Sequence, residues 1–133
     1  MQAKRNPGKP VTTDNAQIVR DFIAAWSRMD VDEIVGYFTD DGIYHNMPIA
    51  PVAGTAMLKG FIAEFLKDWT ETRWDVINVL AGANTVIAER VDHIHIGAKH
   101  CALPVVGVFE LRDGKIVAWR DYFDMGTYAA AFA

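Results

Sequence analysis

Arg90 and Asp92 stand two residues apart in the stretch VIAERVDHIHI, residues 86–96. The stretch is rich in β-branched residues and alternates, so it reads as a β-strand. One face then carries Val86, Ala88, Arg90, Asp92, Ile94 and Ile96. A charge buried on such a face is costly unless it is paired and hydrogen-bonded. Residues i and i+2 of a strand point the same way, roughly 6.5–7 Å apart, so the two side chains can meet. By itself the pair suits first a structural ion pair that fixes register, and second an acid–base site. Tyr44 and Asn46, in IYHNM, have the same spacing. They offer donors and acceptors without charge, which suits holding a water molecule. The plainer alternative is a buried tyrosine with its hydrogen-bond partner. A third cluster is AWRDYFD, residues 118–124. Trp119, Asp121 and Phe123 share one face, and Arg120, Tyr122 and Asp124 share the other. Both faces are mixed, so alternation leaves open which carboxylate points inward. Trp119 and Phe123 make the Asp121 face slightly the more apolar. His93 and His95 lie opposite Arg90 and Asp92. A His-x-His pair can ligate a metal, but the following GAKHCALP supplies His100 and no acid. No metal site is read there. No Ser-His-Asp arrangement, P-loop or Gly-rich dinucleotide fingerprint is present either.

The elements that must position these residues are helical first and extended later. Asp14 with Gln17 is a capping-box spacing, and Ile18, Phe22, Ala25 and Trp26 recur at helical intervals through residues 15–28. Asp30 and Glu33 repeat the signature ahead of Ile34, Tyr37 and Phe38, which predicts a short second helix ended by DDG at 40–42. GIYHN is a short strand and MPIAPVAGT a loop. Residues 56–68 form a third helix, with Leu58, Ile62, Phe65, Leu66 and Trp69 on its buried side. Strands follow at TRWDVINVLAGA, TVIAERVDHIHI, KHCALPVVGVFEL and KIVAWRDYFD, with RDGK as a hairpin turn. Pro104 and Gly107 suggest a bend or bulge in the third of these. MGTYAAAFA is a short terminal helix. Helices followed by strands joined through short turns predict an α+β fold: a bent, mixed or antiparallel sheet covered by three helices that enclose a conical pocket.

Bulk properties narrow the partners. A chain of 133 residues, 51% hydrophobic and 23% charged, fits one globular domain with a real core. Residues 1–13, with Pro7, Gly8 and Pro10, read as a flexible leader without the apolar core of a signal peptide, and residues 14–133 as the domain. A net charge of -4 with no basic stripe argues against nucleic acid and anionic membranes. No apolar run approaches the roughly 20 residues of a membrane helix. One cysteine, Cys101, is compatible with a reducing cytoplasm.

In chain order the signals are Tyr44-x-Asn46, Glu89-Arg90-Val91-Asp92 and Trp119-Arg120-Asp121-Tyr122-Phe123-Asp124. That set, with YHNMP and GVFEL in matching context, resembles the limonene epoxide hydrolase family, a branch of the cone-shaped folds that include nuclear transport factor 2, ketosteroid isomerase and SnoaL-type cyclases. The resemblance runs from residue 15 to residue 125. It implies an Asp-Arg-Asp triad at Asp92, Arg90 and Asp121, and a water held by Tyr44 and Asn46. It implies one-step hydrolysis of an apolar epoxide to a diol without a covalent intermediate, a metal or an organic cofactor, and a homodimer formed through the outer sheet face. Since nothing else in such a site needs charge, the pocket walls should be apolar: Ile23, Trp26, Phe65, Trp69, Ile94, Leu103, Val105 and Phe123. The chain runs shorter beyond Tyr128 than the family's usual tail, which leaves one wall of that pocket open. The rival readings are a ketosteroid isomerase-like or cyclase-like proton transfer, which leaves Arg90 without a role, and a non-catalytic binder, which needs no polar cluster inside the cone.

Overall fold

The computed structural model describes residues 14–133; the expected leader lies outside the described residues. Asp14 accepts the Gln17 backbone N–H and so starts α1, Asn15–Ala25, as its capping spacing requires. Its inner side buries Val19, Phe22, Ile23 and Ala25. A 3₁₀ turn, Trp26–Arg28, ends at Met29, which takes a left-handed φ of 52°. Asp30 then caps the short helix α2, Val31–Val35.

The second helix stops earlier than the capping pattern predicts. Phe38 already opens the strand β1, Phe38–Asn46, and the DDG sequence lies inside that strand. Phe38 pairs with Ile116 and Ile43 with Ala118, and the register slips between them. Pairing across the sheet outweighs the local preference of Asp and Gly for turns, and the slip absorbs the poorly fitting residues. After the two-residue strand β2, Val52–Ala53, comes α3, Thr55–Leu66, which buries Leu58 and Ile62. Four strands follow: β3, Glu71–Gly82; β4, Thr85–Ile96; β5, Lys99–Arg112; and β6, Lys115–Tyr122. A terminal helix, α4, spans Met125–Ala131.

The sheet is mixed and open, in the order β2-β1-β6-β5-β4-β3, with β1 parallel to β6 and the other pairs antiparallel. Helix α1 lies against β3 and β4, and α3 against β1 and β2. Among the described residues, no helix is long and apolar enough to cross a membrane. The bend or bulge expected at Pro104 and Gly107 is absent: β5 pairs with β4 without interruption from Thr85↔Glu110 to Ile96↔Lys99. Pro104 is tolerated because pairing of β5 with β6 begins only at Val106, so its missing N–H falls where β5 has one neighbour. The register shifts lie elsewhere, between Val76 and Asn78 in β3 and between Glu110 and Leu111 in β5.

The core is aromatic. Phe22 meets Trp119 edge-on with centroids 4.9 Å apart, and Trp26 stacks on Trp74 at 4.5 Å, both favoured geometries. The sheet's other face leaves Ile77, Leu80, Ile87, Val106 and Tyr122 exposed.

Candidate active site

The pleat of β4 turns Arg90 and Asp92 inward among Val86, Ala88 and Ile94, all buried. Arg90 has no exposed surface, and Asp92 and Asp121 are each 3% exposed. Buried this deeply, all three side chains require partners. Arg90 supplies them. Its Nε donates to Asp92 Oδ1 at 2.8 Å and its Nη2 to Asp92 Oδ2 at 3.1 Å. Its Nη1 donates to Asp121 Oδ1 at 3.1 Å and Nη2 to Asp121 Oδ2 at 2.5 Å. One guanidinium therefore bridges two carboxylates that come from different strands. Its face lies over the Trp74 ring, 4.4 Å from the centroid, which favours the cation further.

Asp121 comes from β6, and the two-sided ambiguity of WRDYFD resolves in its favour. Asp124 lies past the strand, exposed, and accepts the Thr127 backbone N–H as the cap of α4. Trp119, two residues before Asp121 and on the same face, donates its indole N–H to Asp121 Oδ1 at 2.6 Å. The parallel pairing of β1 with β6 sets Tyr44 opposite Trp119 and Asn46 opposite Asp121. Tyr44 stacks on Trp119 with centroids 4.1 Å apart. Tyr44 and Asn46 are both buried, and they line the same cavity as the two aspartates.

Burial dominates the titration of this cluster. It raises the Asp92 carboxyl to about 7 against the opposing pull of Arg90. It raises Asp121 as well, with Arg90 and the Trp119 N–H holding that carboxyl down. The Tyr44 phenol is pushed well above its ordinary value by burial and by the neighbouring Asp121 charge. Arg90 stays charged, since two carboxylates outweigh its desolvation.

The cavity above the cluster encloses about 70 Å³ and opens to solvent, a tight space beside the usual small-molecule site. Six of the expected wall residues line it: Phe65, Trp69, Ile94, Leu103, Val105 and Phe123. Ile23 and Trp26 do not line it. They belong to the core beneath, where Trp26 is packed against Trp74 and Trp69. Their helical periodicity signalled burial, and periodicity does not distinguish core from cavity wall.

Four lining residues escaped the sequence reading: Ile49, Trp74, Met125 and Tyr128. Trp74 could have been found, because it alternates with Thr72 on β3 and both face inward. Met125 and Tyr128 sit on α4, which supplies the wall that the sequence had left open. Trp69 donates its N–H to the Tyr128 hydroxyl at 3.2 Å and ties that wall to the end of α3.

Gly107 on β5 carries a site signal of another kind. A Cβ there would come within 2.7 Å of Arg90 Nη1 and 2.8 Å of Asp121 Oδ1. The glycine marks the close passage of the Arg90–Asp121 bridge. His93 and His95 stay on the opposite face. There His93 Nδ1 meets His100 Nε2 at 3.2 Å, and His95 stacks on His100.

Chemically, the site offers a carboxyl that can hold a proton near neutral pH, a second carboxyl held as an acceptor, and neutral hydrogen-bonding groups beside them. These are the parts of an acid–base reaction on a neutral, apolar molecule.

The sequence matches the limonene-1,2-epoxide hydrolase catalytic domain family across residues 13–132. It is 29% identical over 107 residues to the epoxide hydrolase EphG of Mycobacterium tuberculosis, covering 80% of this chain and 71% of that protein. The solved structure of an LEH-like epoxide hydrolase from M. tuberculosis superposes with a TM-score of 0.79 at 27% identity, over 92% of both chains. A putative polyketide cyclase from Xanthomonas campestris pv. campestris shares the fold, with a TM-score of 0.79 at 21% identity over 90% of this chain and all of that one. With the family match running through nearly the whole described structure, the chain belongs to the limonene-1,2-epoxide hydrolase family, a family of epoxide hydrolases.

Proposed function

We propose that this protein converts an apolar epoxide to a vicinal diol by one-step attack of water, with Asp121 as the base, Asp92 as the acid and Arg90 as their bridge. The observation that carries the reading is the single buried guanidinium joining two carboxyls at the floor of an apolar cavity. Opening an epoxide requires a proton on the departing oxygen and a nucleophile on the carbon. Water, held by Tyr44 and Asn46, gives one proton to Asp121 while its oxygen forms the new C–O bond. The ring C–O bond breaks, and its oxygen takes the proton of Asp92. The sum is epoxide plus water to diol, and the proton must then return from Asp121 to Asp92. An acid raised to about 7 is matched to this task near neutral pH.

Direct attack by water is favoured over a covalent ester because Tyr44 and Asn46, neutral groups able to hold a water, line the cavity beside Asp121. A cyclase-like or isomerase-like proton transfer uses one base and a tyrosine donor and leaves the second carboxyl without a task. The step needs no metal or organic cofactor. The same reading includes a homodimer joined through the exposed apolar residues of the outer sheet face and a cytoplasmic setting, with which a lone buried thiol, Cys101, agrees.

The test is single-turnover hydrolysis of a panel of cyclic and terpene epoxides in oxygen-18 water. The diol should carry the label in the first turnover, and Asp121→Asn should lower kcat by about 10²–10⁴-fold with the fold intact. Label absent from the first diol and later present in an aspartate, or normal turnover by Asp121→Asn, would overturn the mechanism.

A further inference from the structure

Arg90 clamps both carboxylates. Each receives two of its N–H contacts, and each is 3% exposed. The shortest of these contacts, 2.5 Å, falls on Asp121. Trp119 adds a donor that Asp121 alone receives. Its indole N–H reaches Asp121 Oδ1 at 2.6 Å, while among the described residues Asp92 accepts only from Arg90. An indole nitrogen donates and never accepts, so this contact favours the carboxylate over the carboxylic acid.

The donor is fixed in place. Trp119 is fully buried. One side of its ring stacks on Tyr44, 4.1 Å away and within 4° of parallel. Phe109 is also stacked, at 5.4 Å and 14°, and Phe22 meets it edge-on at 4.9 Å. Such a ring cannot turn away as Asp121 gains and loses a proton, so the bias persists through a catalytic cycle.

We propose that Trp119 is the positioning residue that divides the work of the two carboxyls: its N–H keeps the negative charge on Asp121 and thereby leaves the proton on Asp92. This rests on the acid–base reading above, and it adds the physical reason why the roles fall this way round. Without the N–H, the single proton of the pair distributes itself more evenly, and the fraction of enzyme with acid and base correctly assigned falls.

The test replaces Trp119 with 3-benzothienylalanine, which keeps the bicyclic ring and puts sulfur where the N–H was; Trp119→Phe is a second variant. Two readouts are taken: the carbon-13 titration of the Asp121 carboxyl without substrate, and the pH dependence of kcat/KM for epoxide hydrolysis. The Asp121 titration should move up by about one pH unit, the acidic limb of kcat/KM should move with it, and kcat should fall about tenfold. A purely structural tryptophan would move neither the titration nor the limb. A folded benzothienylalanine protein with an unchanged Asp121 titration overturns the inference, whatever its activity. If wild-type protein hydrolyses no epoxide yet the Asp121 titration shifts, the hydrolase reading fails and the effect of Trp119 on Asp121 stands. Should Trp119→Phe fail to fold, the isosteric replacement alone decides.

Discussion

Two aspartates of the same residue type, on one guanidinium, are asked to act oppositely, and pH tests whether they do. On the proposed mechanism activity requires Asp92 protonated and Asp121 ionised, so the kcat/KM profile should be bell-shaped, with an alkaline limb near 7, where Asp92 loses its proton. The same shift affects stability. The folded state holds the Asp92 proton up to about 7, whereas an unfolded aspartate releases it near 4. Between these values the native state binds more protons than the unfolded state, so stability falls as pH rises and levels off above 7. Asp92→Asn is neutral throughout and should lose less stability than wild type between pH 5 and pH 8. Urea denaturation at both values measures this, and an equal loss in the two proteins would contradict a raised Asp92. At this scale the sequence was partly informative: a carboxylate beside an arginine on an apolar strand face marked a buried pair, and a structural ion pair would have left the same mark. The choice between Asp121 and Asp124 was not legible from alternation, because WRDYFD puts a carboxylate on each face and the sequence does not show that the strand ends at Tyr122, before Asp124.

Elements act by the spaces they leave. Residue 107 on β5 has no side chain, and Arg90 Nη1 and Asp121 Oδ1 occupy that space. Gly107→Ala would push both atoms, and the Phe109 ring at 2.9 Å. We expect a loss of about 1–3 kcal/mol of stability from overpacking and at least a tenfold drop in kcat, read by thermal melting and steady-state kinetics; a wild-type kcat would show that the bridge tolerates displacement. Helix α4 has no buried residue of its own, and the Trp69–Tyr128 bond helps fix it as a wall. Trp69→Phe should raise KM about fivefold, the worth of one hydrogen bond, speed amide exchange in α4 and leave kcat nearly unchanged. An unaltered exchange rate would mean that packing of Tyr128 and Phe132 suffices. The sequence indicated a glycine and a terminal helix, but it misread the glycine as a bulge. A close approach of groups distant in sequence leaves the same mark as a local kink.

The whole molecule presents two faces of one sheet, one holding the cavity and the other carrying Leu80 at 71% and Ile87 at 40% exposure. Apolar residues grouped on an open sheet face favour association. If that face forms the proposed dimer, Leu80→Lys with Ile87→Lys should give a monomer by light scattering while leaving the inner face intact. A dimer that survives both charges must form elsewhere.

By itself, the sequence determined the residue types of the site, the inward face of β4, the helices-then-strands order and the family resemblance, because caps, periods and i, i+2 spacings are local. Only the tertiary structure decided that β1 runs parallel beside β6 and so sets Tyr44 and Asn46 next to Trp119 and Asp121. It also decided that Ile23 and Trp26 are core while Trp74 and Tyr128 are wall, and that Asp121 alone of the two aspartates has an indole donor. These outcomes depend on which strands become neighbours and on which side chains fill the space between them. Contacts between residues far apart in the chain have no period to read.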